Sequence, residues 1–154
     1  MAQTTNSIWG GAGNVGISTD GSTWTDISGH SQKVTPGGGN RRVGEKWTFD
    51  GEDPIVKVGK KNSRQTRVDI IYTEQSADAF EAARAQFEAA GGGTLYVRWS
   101  PGGGDVGDRG YTTDAGFVSE LQFPEQDSEE DGPLATFFVL YHASITSSLI
   151  ATAW

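Results

Sequence analysis

Residues 136–141, Thr-Phe-Phe-Val-Leu-Tyr, form an apolar run without a charge or a turn residue. As a strand, the run points Phe137, Val139 and Tyr141 to one face and Phe138 and Leu140 to the other. A strand that is apolar on both sides has to be covered twice, by another sheet and by a helix or a neighbouring subunit. This restricts the chain to a closed, layered β fold or to an oligomer. Its 154 residues suffice for one domain with a single core.

Other segments repeat the two-residue period. Leu95, Val97 and Trp99 alternate with Tyr96 and Arg98, Val68, Ile70 and Tyr72 alternate with Asp69, Ile71 and Thr73, and Phe117, Ser119, Leu121 and Phe123 alternate with Val118, Glu120 and Gln122. Val15–Ser18 and Trp24–Ile27 read as strands around an Asp20-Gly21 turn, and Trp47–Phe49 and Ile55–Val58 as strands around Asp50-Gly51 and Pro54. Pro36-Gly37-Gly38-Gly39-Asn40 marks a loop. One helix is expected over 77–90, capped by Ser76, with Phe80, Ala83, Phe87 and Ala90 on one stripe and Gly91-Gly92-Gly93 ending it. A helix this short needs a sheet to cover. The fold expected is α+β but mainly β: an antiparallel sandwich or barrel-like core with one flanking amphipathic helix and a long basic hairpin loop. Residues 1–14 are read as a flexible N-terminal arm, and 15–154 as a single domain.

Several chemistries fail on context. With no cysteine in the chain, disulfide scaffolds, thiol catalysis and cysteine zinc sites are excluded. The N-terminus has neither the basic start nor the apolar run of a signal peptide, so a chain made without a cleaved leader is expected, with no membrane partner. Gly11-Ala12-Gly13-Asn14-Val15-Gly16 has the spacing of a dinucleotide fingerprint, but no apolar strand precedes it and no helix pattern follows. His30 and His142 are the only histidines, and a metal pair would need a carboxylate brought beside them by the fold. The run 125–132 packs five carboxylates into eight residues without calcium-loop spacing, so it reads as a solvated acidic turn or a charged contact surface. No catalytic residue, cofactor or metal site is expected.

Charge is divided unevenly along the chain. The stretch 33–67 holds nine of the twelve basic residues and four acids, a balance of +5, inside a molecule of net charge -8. Lys57, Lys60, Lys61, Arg64 and Arg67 fall within eleven residues that contain no acid. An acidic body with one basic excursion is a poor footprint for a nucleic-acid backbone. It suits heterologous contacts between copies, which close into rings or extend as tubes.

With the segments GEKWTFDGEDPIVKVGKK, TRVDIIYTEQSADAFEAARAQFEAAGGGTLYVRWSP and LATFFVLYHASITS, the chain resembles the major tail tube proteins of long, flexible-tailed bacteriophages. The resemblance covers roughly residues 15–148 and rests on element order and texture, since the family has no short diagnostic motif. It implies six-copy rings stacked into a hollow tube through which genomic DNA leaves the virion, with other tail proteins as partners. Under it, Gly37–Arg67 holds the inter-ring loop and the helix lies on the outer side. Lys57, Lys60, Lys61, Arg64 and Arg67 would then meet acidic surface in the next ring, with Asp127, Glu129, Glu130 and Asp131 as partners or lumen-edge charges. The alternatives are a β-sandwich module binding carbohydrate or another ligand, and another virion protein such as a decoration or tail-completion subunit.

Overall fold

The period-two segments become strands that pair antiparallel throughout, except Trp47–Phe49, which falls in a turn-bearing connection between two strands rather than in a strand of its own. The computed structural model describes residues 7–8, 10–127, 129 and 132–154. In chain order the strands are β1 (Asn14–Ser18), β2 (Thr25–Asp26), β3 (Ser31–Pro36), β4 (Arg41–Lys46), β5 (Ile55–Lys61) and β6 (Arg64–Ile71). After helix α1 (Ala79–Glu88) come β7 (Tyr96–Ser100), β8 (Arg109–Thr113), β9 (Phe117–Leu121), β10 (Ala135–His142) and β11 (Ile145–Leu149). They assemble as a five-stranded sheet β11-β8-β7-β1-β2, a four-stranded sheet β3-β6-β10-β9 and a separate two-stranded ribbon β4-β5. Among the described residues neither large sheet closes on itself: β11 and β2 edge one, β3 and β9 the other.

One buried cluster holds the molecule together. Val15, Ile17, Val97 and Trp99 come from the five-stranded sheet, and Val68, Ile70, Phe138 and Leu140 from the four-stranded one. The apolar run lies in β10, between β6 and β9. Its inward residues Phe138 and Leu140 are fully buried, and His142 continues that face. On the outward face the Arg67 guanidinium lies 3.6 Å from the Phe137 ring centre, and Tyr141 packs against Phe117 at 5.4 Å between centroids. Phe117 and Tyr141 stay 49% and 36% exposed, so this second face is only partly covered within one chain.

Two further expected patterns shift, each for a local reason. In β9, Glu120 pairs with Val139 but Val118 pairs with Leu140, which leaves Ser119 as an extra residue. This bulge reverses the alternation, so that Val118 and Leu121 are both buried while Phe117 is exposed; Phe123, beyond the end of β9, is also exposed. The Ser119 hydroxyl donates to the Val139 carbonyl at 3.2 Å and occupies the bulge. The helix is shorter than 77–90, with Asp78 rather than Ser76 at its N-cap and extended backbone at Ala89. Phe80 and Ala83 are buried, but Phe87 is 41% exposed and Ala90 lies past the end. Gly91 and Gly92 take positive φ there (78° and 80°) and turn the chain away.

Of the segment read as an N-terminal arm, residues 1–6 and Trp9 lie outside the described residues, Gly10–Ala12 forms a single 3-10 turn, and Asn14 already belongs to β1. The glycine-rich motif at 11–16 therefore runs from a turn into a strand, where no helix end meets a phosphate.

Candidate assembly surface

The β4-β5 ribbon is the most exposed part of the regular structure: every residue of β4 is exposed, and so is every residue of β5 except Gly59. Its register gives it two unlike faces. Val43 stands opposite Val58 and Glu45 opposite Val56, while Gly44 stands opposite Lys57 and Lys46 opposite Ile55. Opposed residues share a face and neighbours alternate. One face is therefore valine-rich and the other carries lysines. Val43, Val56 and Val58 are 59%, 52% and 70% exposed, and Trp47, just beyond β4, is 66% exposed. An isolated two-stranded ribbon is marginal in water, so these valines stabilise little until something covers them.

The charge along the ribbon is also graded. Its strands carry Arg41, Arg42, Lys46, Lys57, Lys60 and Lys61 against Glu45 alone, whereas the connecting tip, 47–54, holds Asp50, Glu52 and Asp53 and no base. Phe49 at the tip is fully exposed. At the opposite end, the root, Arg41 pairs with Lys61 and a register shift lies between Arg41 and Val43. Gly59 sits within that irregularity, where a Cβ would come 2.9 Å from the Arg42 carbonyl oxygen. Arg42, Lys60, Lys61, Asn62, Ser63 and Tyr141 line a cleft of about 390 Å³ there. Arg42 donates from Nε to the Asn62 side-chain oxygen at 3.4 Å, which places Arg42 beside the β5-β6 turn.

The five basic residues expected to act together are divided by the fold. Lys57, Lys60 and Lys61 stand on the ribbon, whereas Arg64 and Arg67 lie in β6 of the four-stranded sheet. Arg64 packs against Gly38 and Gly39, whose positive φ values (79° and 101°) let the β3-β4 loop pass close by. Arg67 pairs within its own strand with Asp69 at 2.6 Å and covers Phe137. Asp127 and Glu129 are exposed in the β9-β10 connection, and among the described ion pairs neither meets any of the five. Glu130 and Asp131 lie outside the described residues.

His142 is buried, with its Nε2 2.8 Å from the Thr66 hydroxyl and its Nδ1 2.9 Å from the Ser144 carbonyl oxygen. His142 pairs with Arg64 at one end of β6, while the His30 carbonyl accepts from Ile71 at the other, so the two histidines cannot share a ligand. Among the described residues no group of three or more His, Cys, Asp or Glu gathers. Asp20 accepts from the backbone of Thr23 and Ser22 and from the Ser18 hydroxyl, which holds its carboxyl well below the usual range and fixes the β1-β2 turn. Two tryptophans are engaged within the chain: Arg98 lies 4.7 Å from the Trp24 ring centre and 4.4 Å from that of Trp154.

The arrangement of two open-edged sheets, one helix and a projecting ribbon has relatives among solved structures. It is the fold of chains in contractile injection machines and phage-like tails. A chain of the PVC sheath–tube complex, from an extracellular contractile injection system in its extended state, superposes with a TM-score of 0.72 at 9% identity, over 97% of this chain and 100% of its own. The SPP1 tail tube matches at TM-score 0.61 and 12% identity, over 94% of this chain and 81% of the other. A chain from the tail of an empty gene transfer agent particle, refined with C6 symmetry, matches at 0.60 and 12%, over 97% and 100%. No family model matches the sequence, and no curated protein sequence matches it. At such identities the likeness is one of backbone, and the residues of the ribbon have to be judged by their own chemistry.

Proposed function

We propose that this chain is a structural subunit, without chemistry of its own, that self-assembles into stacked rings forming the tube of a phage-like tail. The observation that carries this reading is the near-complete mutual coverage with chains of tube-bearing machines, 97% of this chain and 100% of the other in the PVC case. Two features of the chain support it independently: the open edges of both sheets, and a ribbon whose valine face has nothing over it. Under this reading the two sheets pack as a sandwich, copies join side by side through the edges β3 and β9, and the ribbon reaches acidic surface of a neighbouring ring. The C6 symmetry of the gene transfer agent tail supports six copies per ring. Outside 33–67 the chain carries a balance of -13, which suits a channel wall that DNA passes without sticking. The subunit would reside in the virion tail after synthesis in the host cytoplasm.

Electron microscopy of the purified protein, with its mass measured in solution, tests the proposal. Rings or tubes, with a mass that is a multiple of 16.4 kDa, are the expected result. A chain that stays monomeric at high concentration, and when seeded with preformed tail tubes, would overturn it.

A further inference from the structure

Resting on that reading, we infer that the ribbon joins copies head to tail, its acidic aromatic tip seating in the basic cleft at the root of the ribbon on the next copy. The tip presents Phe49, fully exposed, beside Asp50, Glu52 and Asp53. The root presents Arg42, Lys60 and Lys61 around a cleft of about 390 Å³ with Tyr141 on its wall. Three carboxylates thus face three cations, and an aromatic ring without a cover meets a cleft that has an aromatic side.

A chain cannot make this contact with itself. The pairing from Arg41↔Lys61 to Lys46↔Ile55 holds tip and root apart by five to six residues of extended strand, roughly 16–20 Å at ~3.3 Å per residue. The complement of the tip therefore has to come from another molecule, and the cleft that matches it belongs to a second copy of this chain. A contact between unlike surfaces of identical subunits is heterologous and leaves a free tip and a free root after each addition, so it propagates. It also explains why the ribbon strands carry six bases against one acid while their connection carries acids alone.

The experiment is a charge swap followed by mixing. One variant reverses the tip (Asp50→Lys, Glu52→Lys, Asp53→Lys) and a second reverses the root (Arg42→Glu, Lys60→Glu, Lys61→Glu). Each, alone, is expected to raise the protein concentration needed for assembly at least tenfold, with circular dichroism and thermal unfolding matching the wild type. Mixing the two variants should restore assembly, because each reversed surface then finds its opposite on the other copy. A single chain carrying all six reversals should also assemble. Wild-type-like assembly by either variant, or loss in both without recovery on mixing, overturns the tip-to-root contact while tube formation by the wild type stands. Recovery of the root-reversed variant by Asp127→Lys with Glu129→Lys, instead of by the tip reversal, would assign the cleft to the β9-β10 connection and also overturn it. A wild-type protein that never assembles overturns the tube reading itself, and the contact with it.

Discussion

Arg98 is held between two indoles, and its burial lowers the guanidinium pKa, with Asp26 opposing that shift. Its Nε is buried without a hydrogen-bond partner, so the rings and the nearby carboxylate have to offset that desolvation. The same cluster explains a glycine: a Cβ at Gly110 would come 2.6 Å from the Trp154 ring, so that ring approaches β8 only where no side chain intervenes. Arg98→Ala removes both stacking contacts and the packing of the stem, and about 1–3 kcal/mol of stability is expected to go with them. Arg98→Lys should recover less than half of the loss, because a point charge does not replace a planar group between two rings. Urea denaturation of the three proteins, followed by tryptophan fluorescence, measures both values. Equal stability of Arg98→Lys and wild type would show that charge alone matters at this position.

At the scale of elements, the helix separates what a sequence pattern can show from what it cannot. Phe80 and Phe87 are seven residues apart and fall on one stripe, yet Phe80 is 3% exposed, in edge-on contact with Tyr72 and Phe123, and Phe87 is 41% exposed. Phe80→Ala is therefore expected to cost about 3–5 kcal/mol, and Phe87→Ala under about 1 kcal/mol, as for an exposed site. Chemical denaturation of each variant checks the pair, and similar losses would mean that the whole stripe is packed. Periodicity was legible wherever a strand buries one face against a partner, as in β6, β7 and β10. It failed in β3, β4, β8 and β11, where exposed or glycine-containing segments such as Ile145–Leu149 and Arg109–Thr113 carry no apolar alternation. The β9 bulge was equally invisible, since one unpaired serine reverses parity without changing composition. Basic charge around 57–67 could be read from the chain, but its division between the ribbon and β6 depends on where the Asn62–Ser63 turn falls.

For the whole molecule, the question is whether charge or apolar area drives association. Exposed ion pairs contribute only ~0.2–1 kcal/mol each, whereas fully burying a valine contributes about 1.5–3 kcal/mol. The two faces of the ribbon allow these to be separated, since Val43, Val56 and Val58 lie on one face of the pair of strands and Lys46 and Lys57 on the other. Threonine keeps the β-branched shape that suits a strand, so Val43→Thr, Val56→Thr and Val58→Thr together should leave the ribbon formed and the monomer as stable as before to within about 1 kcal/mol. If the valine face seats on a neighbouring copy, the triple variant loses at least about 1.4 kcal/mol per contact, and the concentration needed for assembly rises tenfold or more. Lys46→Gln with Lys57→Gln should raise it less than about fivefold in low salt, and the difference should vanish in high salt as the charges are screened. Light scattering across a concentration series gives both numbers. A larger effect from the lysine pair than from the three valines would mean that the charged face is the seat, and that the valines remain in water in the assembled state.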